Sequence, residues 1–203
     1  MEFKAFPKMP RWSRDISITE KIDGSNASVL IHELPEGEET PAWVALDPYL
    51  IAHVGRRLVY AGKRTAWCTP DKDNFGFATW VKDNAGELVK LGPGQHFGEF
   101  WGPGIQRRYN IAEKRFSLFN VGRWDGVKQT PPACCHVVPV LYQGPLVEGV
   151  VTDVVAKLAH TGSIAAPGFM DPEGVMIFHV ASGQTFKKTI KNDEAPKSLK
   201  AAA

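Results

Sequence analysis

Apolar and polar residues alternate from Ile16 and Ile18 to Glu20, and again over Ala27, Val29 and Ile31. This period of two is the mark of half-buried strands. Asp23-Gly24-Ser25-Asn26 supplies turn residues between them, so the two strands are expected to pair as a hairpin with Lys21 at its mouth. Residues 58–63, 96–101 and 115–121 predict further strands, and 175–180 with 184–191 a last hairpin around Ser182-Gly183. Over 75–91 the period changes: Phe77, Trp80, Val81, Leu88 and Leu91 fall on one side of a helix that Gly92-Pro93-Gly94 ends, with Gly86 weakening its continuity. Residues 147–160 predict a second helix, with Val150, Val151, Val154, Val155 and Leu158 inward. Strands in this order, with helices inserted, predict an α+β fold rich in antiparallel sheet.

Composition narrows the class. With 203 residues, 43% apolar and 23% charged, the chain is expected to be one globular domain spanning 1–203. Cys68, Cys134 and Cys135 form no disulfide framework, which fits a reducing, cytoplasmic setting. No apolar run approaches the ~20 residues of a membrane span, and the start lacks a signal-peptide core, so no membrane partner is expected.

The formal net charge of +2 is uninformative, but its distribution is not. Lys4, Lys8, Arg11 and Arg14 crowd the start and Lys187, Lys188, Lys191, Lys197 and Lys200 the end, with Glu33, Glu36, Glu38 and Glu39 between. If both termini border one cleft, that cleft is basic; otherwise they are solvated tails. Phe6 and Trp12, mixed with the first four cations, could stack and neutralise a nucleic-acid strand, or the segment could pack on the domain.

The sharpest local signal is Lys21-Ile22-Asp23-Gly24. A match of this kind arises by chance in roughly one chain in twenty, and an ordinary turn would explain it. A lysine nucleophile must shed its proton, far from the ~10.4 of the free side chain, which burial and nearby cations favour. Attack on the α-phosphorus of a nucleotide would then give a phosphoramidate. Four more blocks follow in order: Phe97-Gly98-Glu99-Phe100-Trp101-Gly102, Phe116-Ser117-Leu118-Phe119-Asn120-Val121, Glu173-Gly174-Val175-Met176 and Phe186-Lys187-Lys188-Thr189-Ile190-Lys191. They offer a carboxylate on an aromatic strand, an aromatic that either stacks on a base or fills the core, a second carboxylate and a lysine cluster.

This series resembles the collinear motifs of the covalent nucleotidyltransferases, the superfamily of DNA ligases, RNA ligases and capping enzymes. Thr19-Glu20-Lys21-Ile22-Asp23-Gly24-Ser25-Asn26, with Lys63-Arg64-Thr65, looks most like the RNA-repair ligases of the second phage-T4 type. The resemblance implies the adenylation-domain fold of two sheets with flanking helices. It implies ATP and Mg²⁺ (or Mn²⁺) as cofactors, Lys21 as the adenylylated residue, Arg64 as phosphate and ribose clamp, Glu99 as ribose contact and Phe119 as base platform. Glu173 would orient the lysine and, with Glu99, a metal ion; Lys187 would hold the α-phosphate; Glu20, Ile22 and Asn26 would flank the nucleotide. The last block fits the expected pair of lysines in no single register. Alternation puts Phe186 and Ile190 toward the core, which favours Lys187 and keeps Lys188 in reserve. About a dozen residues follow the cluster, so the adenylyltransferase domain is expected without an OB-fold domain.

The expected activity is therefore an ATP-dependent RNA ligase joining 3′-hydroxyl and 5′-phosphate ends. The rivals are a minimal DNA ligase and a module that binds nucleic-acid ends without chemistry. RNA or DNA ends are the expected partners, with an accessory protein or domain adding further contacts.

Overall fold

The computed structural model describes residues 1–37, 40–191 and 193. Glu38, Glu39, Lys197, Lys200 and the Ala201-Ala202-Ala203 tail lie outside the described residues. The fold is α+β, and its sheets are mainly antiparallel. The chain forms two compact units, one of Met1–Lys21 with the residues from Pro139 on, the other of Ile22–Val138.

Among the described residues, the first unit holds a four-stranded antiparallel sheet. Its strands are β1 (Asp15–Lys21), β9 (Val140–Pro145), β10 (Gly174–His179) and β11 (Gln184–Thr189), in the order β11-β10-β1-β9. Ile16, Ile18, Val175 and Ile177 project to one face and pack with Leu158, Val150, Val151, Val154 and Val155 of helix α3 (Val150–Thr161). The valine-rich stripe read from the sequence is thus the helix's inner face. Gly149, at φ +83, makes the left-handed entry that delays the helix to residue 150.

The second unit holds β2 (Ser25–Glu33), β3 (Leu50–Val54), β4 (Arg57–Lys63), β5 (Ala66–Cys68), β6 (Gly94–Trp101), β7 (Arg115–Leu118) and β8 (Cys135–Val137). Among the described residues they run β3-β4-β2-β6-β7-β8, with β5 on β4, and β7 and β8 alone are parallel. Ala27, Val29, Ile31, Phe100, Phe116 and Leu118 meet Phe77, Val81 and Leu88 of the helices α1 (Phe77–Asp83) and α2 (Ala85–Leu88). Burial would push the Asp73 carboxyl up. The N–H groups of Ala78, Thr79 and Asn74 and the Thr79 hydroxyl outweigh it and hold the group below the usual carboxylate range at the start of α1.

Two expectations are corrected. β1 and β2 are not a hairpin: β1 pairs with β9 and β10, and β2 with β4 and β6. The N–H groups of Asp23 and Gly24 are taken by Tyr109 and Glu99 instead of closing a tight turn. The helix expected over 75–91 is broken at Asn84, whose side-chain amide and N–H both bond the Trp80 carbonyl, at 2.8 and 3.1 Å. An asparagine competing for backbone acceptors, followed by Gly86, ends a helix run, and 89–91 finishes as a 3₁₀ turn.

Candidate active site

Lys21 is the last residue of β1, and alternation divides that strand cleanly. Ile16, Ile18 and Glu20 face the helix-covered side, while Ser17, Thr19 and Lys21 face the other. Glu20 is buried, and three donors satisfy its carboxylate: the Ser163 hydroxyl at 2.5 Å and the N–H groups of Ile164 and Ala165 at 2.8 and 2.9 Å. Its side chain therefore secures the loop after α3.

Lys21 pairs across the sheet with Gly174, and the residue before that glycine carries the partner carboxylate. Lys21 Nζ lies 2.5 Å from Glu173 Oε2, with the lysine side chain 21% exposed and the glutamate 5%. Gly174 is needed here, because a Cβ would run into the Lys188 carbonyl oxygen. The close approach of β10 and β11 at that point fixes Glu173 at a strand end, where its carbonyl also accepts the Ile190 N–H at 2.9 Å.

Cross-strand register separates the lysines of β11. Directly opposed residues of antiparallel strands share a face, so Lys187, opposite Met176, which is opposite Thr19, lies on the Lys21 face. Lys188 lies opposite Val175 on the helix-covered side, and its amine pairs with Asp193 at 3.3 Å. Phe186 is on the expected side, opposite Ile177, yet it is half exposed because β11 is an edge strand. Lys191 pairs with Asp171 at 2.7 Å.

The second unit carries the remainder of the motif. Ile22 buries its side chain. Asp23 donates its N–H to the Tyr109 hydroxyl at 2.8 Å and accepts from Arg107 Nε at 3.1 Å. Gly24 donates to Glu99 Oε1 at 3.1 Å, and a Cβ there would lie 2.5 Å from the Phe100 carbonyl oxygen and 2.8 Å from Trp101 Cβ. Only glycine permits that approach to β6.

Asn26, Glu99 and Ser117 form one cross-strand row on the side of this sheet away from its helices. Phe119 follows β7, and its N–H bonds the Phe97 carbonyl at 3.0 Å, which continues the alternation of Ser117. Phe119 is 39% exposed, so it is not a core residue, and Phe97 beside it is exposed as well. Arg64 is exposed in the turn joining β4 to β5.

Arg107 and Tyr109 are the residues that sequence reasoning missed. They belong to a segment in which Gln106, Arg108, Tyr109 and Asn110 all have positive φ, between 41° and 62°. Each such residue costs about 1–3 kcal/mol and persists only where its surroundings enforce it. Tyr109 is buried edge-on against Trp101, ring centroids 5.0 Å apart, and Trp101 donates to the Ser117 hydroxyl at 2.9 Å. Gly102-Pro103-Gly104 is a signal that could have marked a loop there, but nothing in the sequence ties that loop to Asp23.

Residues 14–191 match the RNA ligase family. This chain belongs to that family. Among solved structures it is similar to an RNA ligase of Naegleria gruberi. A lysine-to-alanine variant of that ligase with ATP and Mn shows 17% identity over 86% of this chain and 48% of the other, with a TM-score of 0.55. A glutamate-to-alanine variant with AMP and Mn shows 16% identity over 87% and 49%, also at 0.55. The likeness is one of fold, and this RNA ligase family chain spans about half the length of those structures. Comparison with curated proteins gives no match. Among the described residues no helix is long and apolar enough to cross a membrane, and no three or more His, Cys, Asp or Glu side chains gather as a metal site.

Proposed function

We propose that the chain is an ATP-dependent RNA ligase domain that seals 3′-hydroxyl and 5′-phosphate ends through a lysyl-AMP. The observation that carries this reading is the pairing of Lys21 Nζ with Glu173 Oε2, residues 152 apart in sequence, at the end of neighbouring strands. A solvated surface lysine has no such partner; a buried carboxylate 2.5 Å from the amine holds it in one orientation, as attack in line on a phosphorus requires.

In the first step the Lys21 amine attacks the α-phosphorus of ATP. An N–P bond forms, the bond to the β-phosphate oxygen breaks, pyrophosphate leaves, and the amine, oriented by Glu173, releases its proton to solvent. Lys187, on the Lys21 face of its sheet, meets charge on the α-phosphate. Arg64 clamps phosphate and ribose, Phe119 stacks on the base, and Glu99 accepts from a ribose hydroxyl; Glu20 and Ile22 border the nucleotide through their main chain. Lys188, opposite Val175 and paired with Asp193, is the reserve for the α-phosphate contact. In the second step a 5′-phosphate oxygen takes the AMP from Lys21, with Asn26 helping to hold the phosphates. In the third a 3′-hydroxyl attacks that 5′-phosphorus and AMP leaves.

Glu173 and Glu99 are the carboxylates that would hold Mg²⁺ or Mn²⁺. Glu99 presents its hard oxygens from within β6 and Glu173 from the residue before β10, and Mg²⁺ needs only one or two protein carboxylates because it keeps most of its waters. The metal supplies charge neutralisation at the phosphates. The Naegleria gruberi RNA ligase of like fold, solved with ATP and Mn, supports the same requirement here.

The experiment is incubation with ATP radiolabelled at the α-phosphate and Mg²⁺, denaturing electrophoresis, then a chase with nicked RNA and nicked DNA. Label on the protein that chases into joined RNA is expected. Sealing of DNA with no joining of RNA would make it a DNA ligase, and no label at all would leave a binding module.

A further inference from the structure

Residues 1–11 join no helix or strand, and they precede the part of the chain that matches the family. Along this arm Phe3, Phe6, Met9 and Trp12 recur at every third position, and Lys8, Arg11 and Arg14 recur at the same interval. Pro7 and Pro10 fix their own φ, and each holds the residue before it extended. Those restraints favour polyproline II backbone, with three residues per turn. At that pitch the two series become two stripes, one apolar and one cationic.

An arm that packed on its own domain would bury the apolar stripe. Phe3 is instead 91% exposed, and Phe6 and Met9 are 81% exposed. The arm is nonetheless rooted. The Trp12 ring stacks on the His179 imidazole with centroids 6.1 Å apart, and the Trp12 carbonyl accepts from His179 Nε2 at 2.9 Å. His179 ends β10, the strand that also pairs with Lys21. Charge is concentrated here as well: four cations stand against the single acid Glu2, while the whole chain carries only +2.

We propose that residues 3–14 are a binding arm for a single-stranded nucleic acid, the strand whose end is to be joined; this rests on the ligase reading above. Phe3 and Phe6 stack on bases, Trp12 roots the arm, and Lys8, Arg11 and Arg14 neutralise phosphates. A polyanion with flat apolar faces satisfies both stripes at once. An apolar protein groove would leave the cations unmatched. A lipid surface fits less well, because polyproline II backbone has no internal hydrogen bonds to satisfy its N–H and C=O groups at the acyl boundary.

The test measures anisotropy of a labelled single-stranded RNA of about a dozen nucleotides, a length spanning one such site, with the full chain and two double variants across a salt series. Phe3→Ala with Phe6→Ala is expected to weaken binding by roughly tenfold per lost base contact and to leave the salt slope unchanged. Lys8→Ala with Arg11→Ala is expected to flatten the slope of log K against log salt by about 1.4, some 0.7 per phosphate contact on a single strand. Both variants should take up label from ATP as the parent does. A parent that binds RNA through the arm but takes no label would overturn the ligase reading and keep the arm. Affinities and slopes equal to the parent's in both variants would overturn the arm, as would loss of binding to phosphatidylserine vesicles with RNA binding unchanged.

Discussion

The Tyr109 hydroxyl accepts the backbone N–H of Asp23 at 2.8 Å, so a residue held at φ +54 in a loop 86 positions away fixes the main chain two residues beyond Lys21. Tyr109→Phe removes that acceptor, at a cost of about 0.5–1.5 kcal/mol for the lost hydrogen bond. Slower lysyl-AMP formation, by roughly ten- to a hundredfold, is expected with little change in ATP affinity, because a small misplacement acts on the attack geometry. Single-turnover labelling at saturating ATP measures it. An unchanged rate in a folded variant would reduce the contact to a structural one.

Lys21→Arg should keep the ion pair with Glu173 and lose all covalent labelling, because a guanidinium stays protonated. Lys21→Ala should lose labelling too, and some stability with it, since the variant removes the 2.5 Å contact between the lysine and the buried Glu173 carboxylate. The arginine variant thus separates chemistry from folding. Label retained on either denatured protein would remove Lys21 from the mechanism.

Lys187→Ala is expected to slow adenylyl transfer by roughly 10²–10³, the effect of losing one transition-state contact. Lys188→Ala should change the rate far less, for its side chain takes the helix-covered face and pairs with Asp193. Equal effects at the two positions would mean that register does not decide which lysine acts.

Phe119→Ala should weaken ATP binding by about 1–3 kcal/mol, as for bases stacked on aromatics, and barely move the melting temperature, because the ring is largely outside the core. Calorimetry with ATP and thermal unfolding test the two halves. Normal binding with lost stability would invert the assignment.

Alkaline pH should act through Tyr60. Burial, then the hydrogen bond to and the charge of Asp47, push its phenol from 10.0 up to about 12, and its hydroxyl donates to Asp47 at 2.9 Å. The folded state thus holds the proton more tightly than the unfolded chain. The stability this contributes is complete below pH 10 and is lost as pH rises toward 12. Tyr60→Phe should flatten that part of a denaturation profile.

The sequence by itself determined the strand periodicities, the helix stripe over Val150–Leu158 and the five ordered blocks from Lys21 to Lys187. These are local: alternation, turn residues and short motifs are written in neighbouring positions. Tertiary structure alone decided that β1 and β2 enter different sheets, since strand partners are chosen by long-range pairing that a turn-like sequence does not specify. It alone decided that Lys187 and not Lys188 shares the face of Lys21, because a period of two fixes opposite faces but only register across three strands says which is which. And it alone brought Tyr109 and Arg107 to Asp23, through a loop whose left-handed residues carry no sequence signal and are held there by the packing of Tyr109 on Trp101.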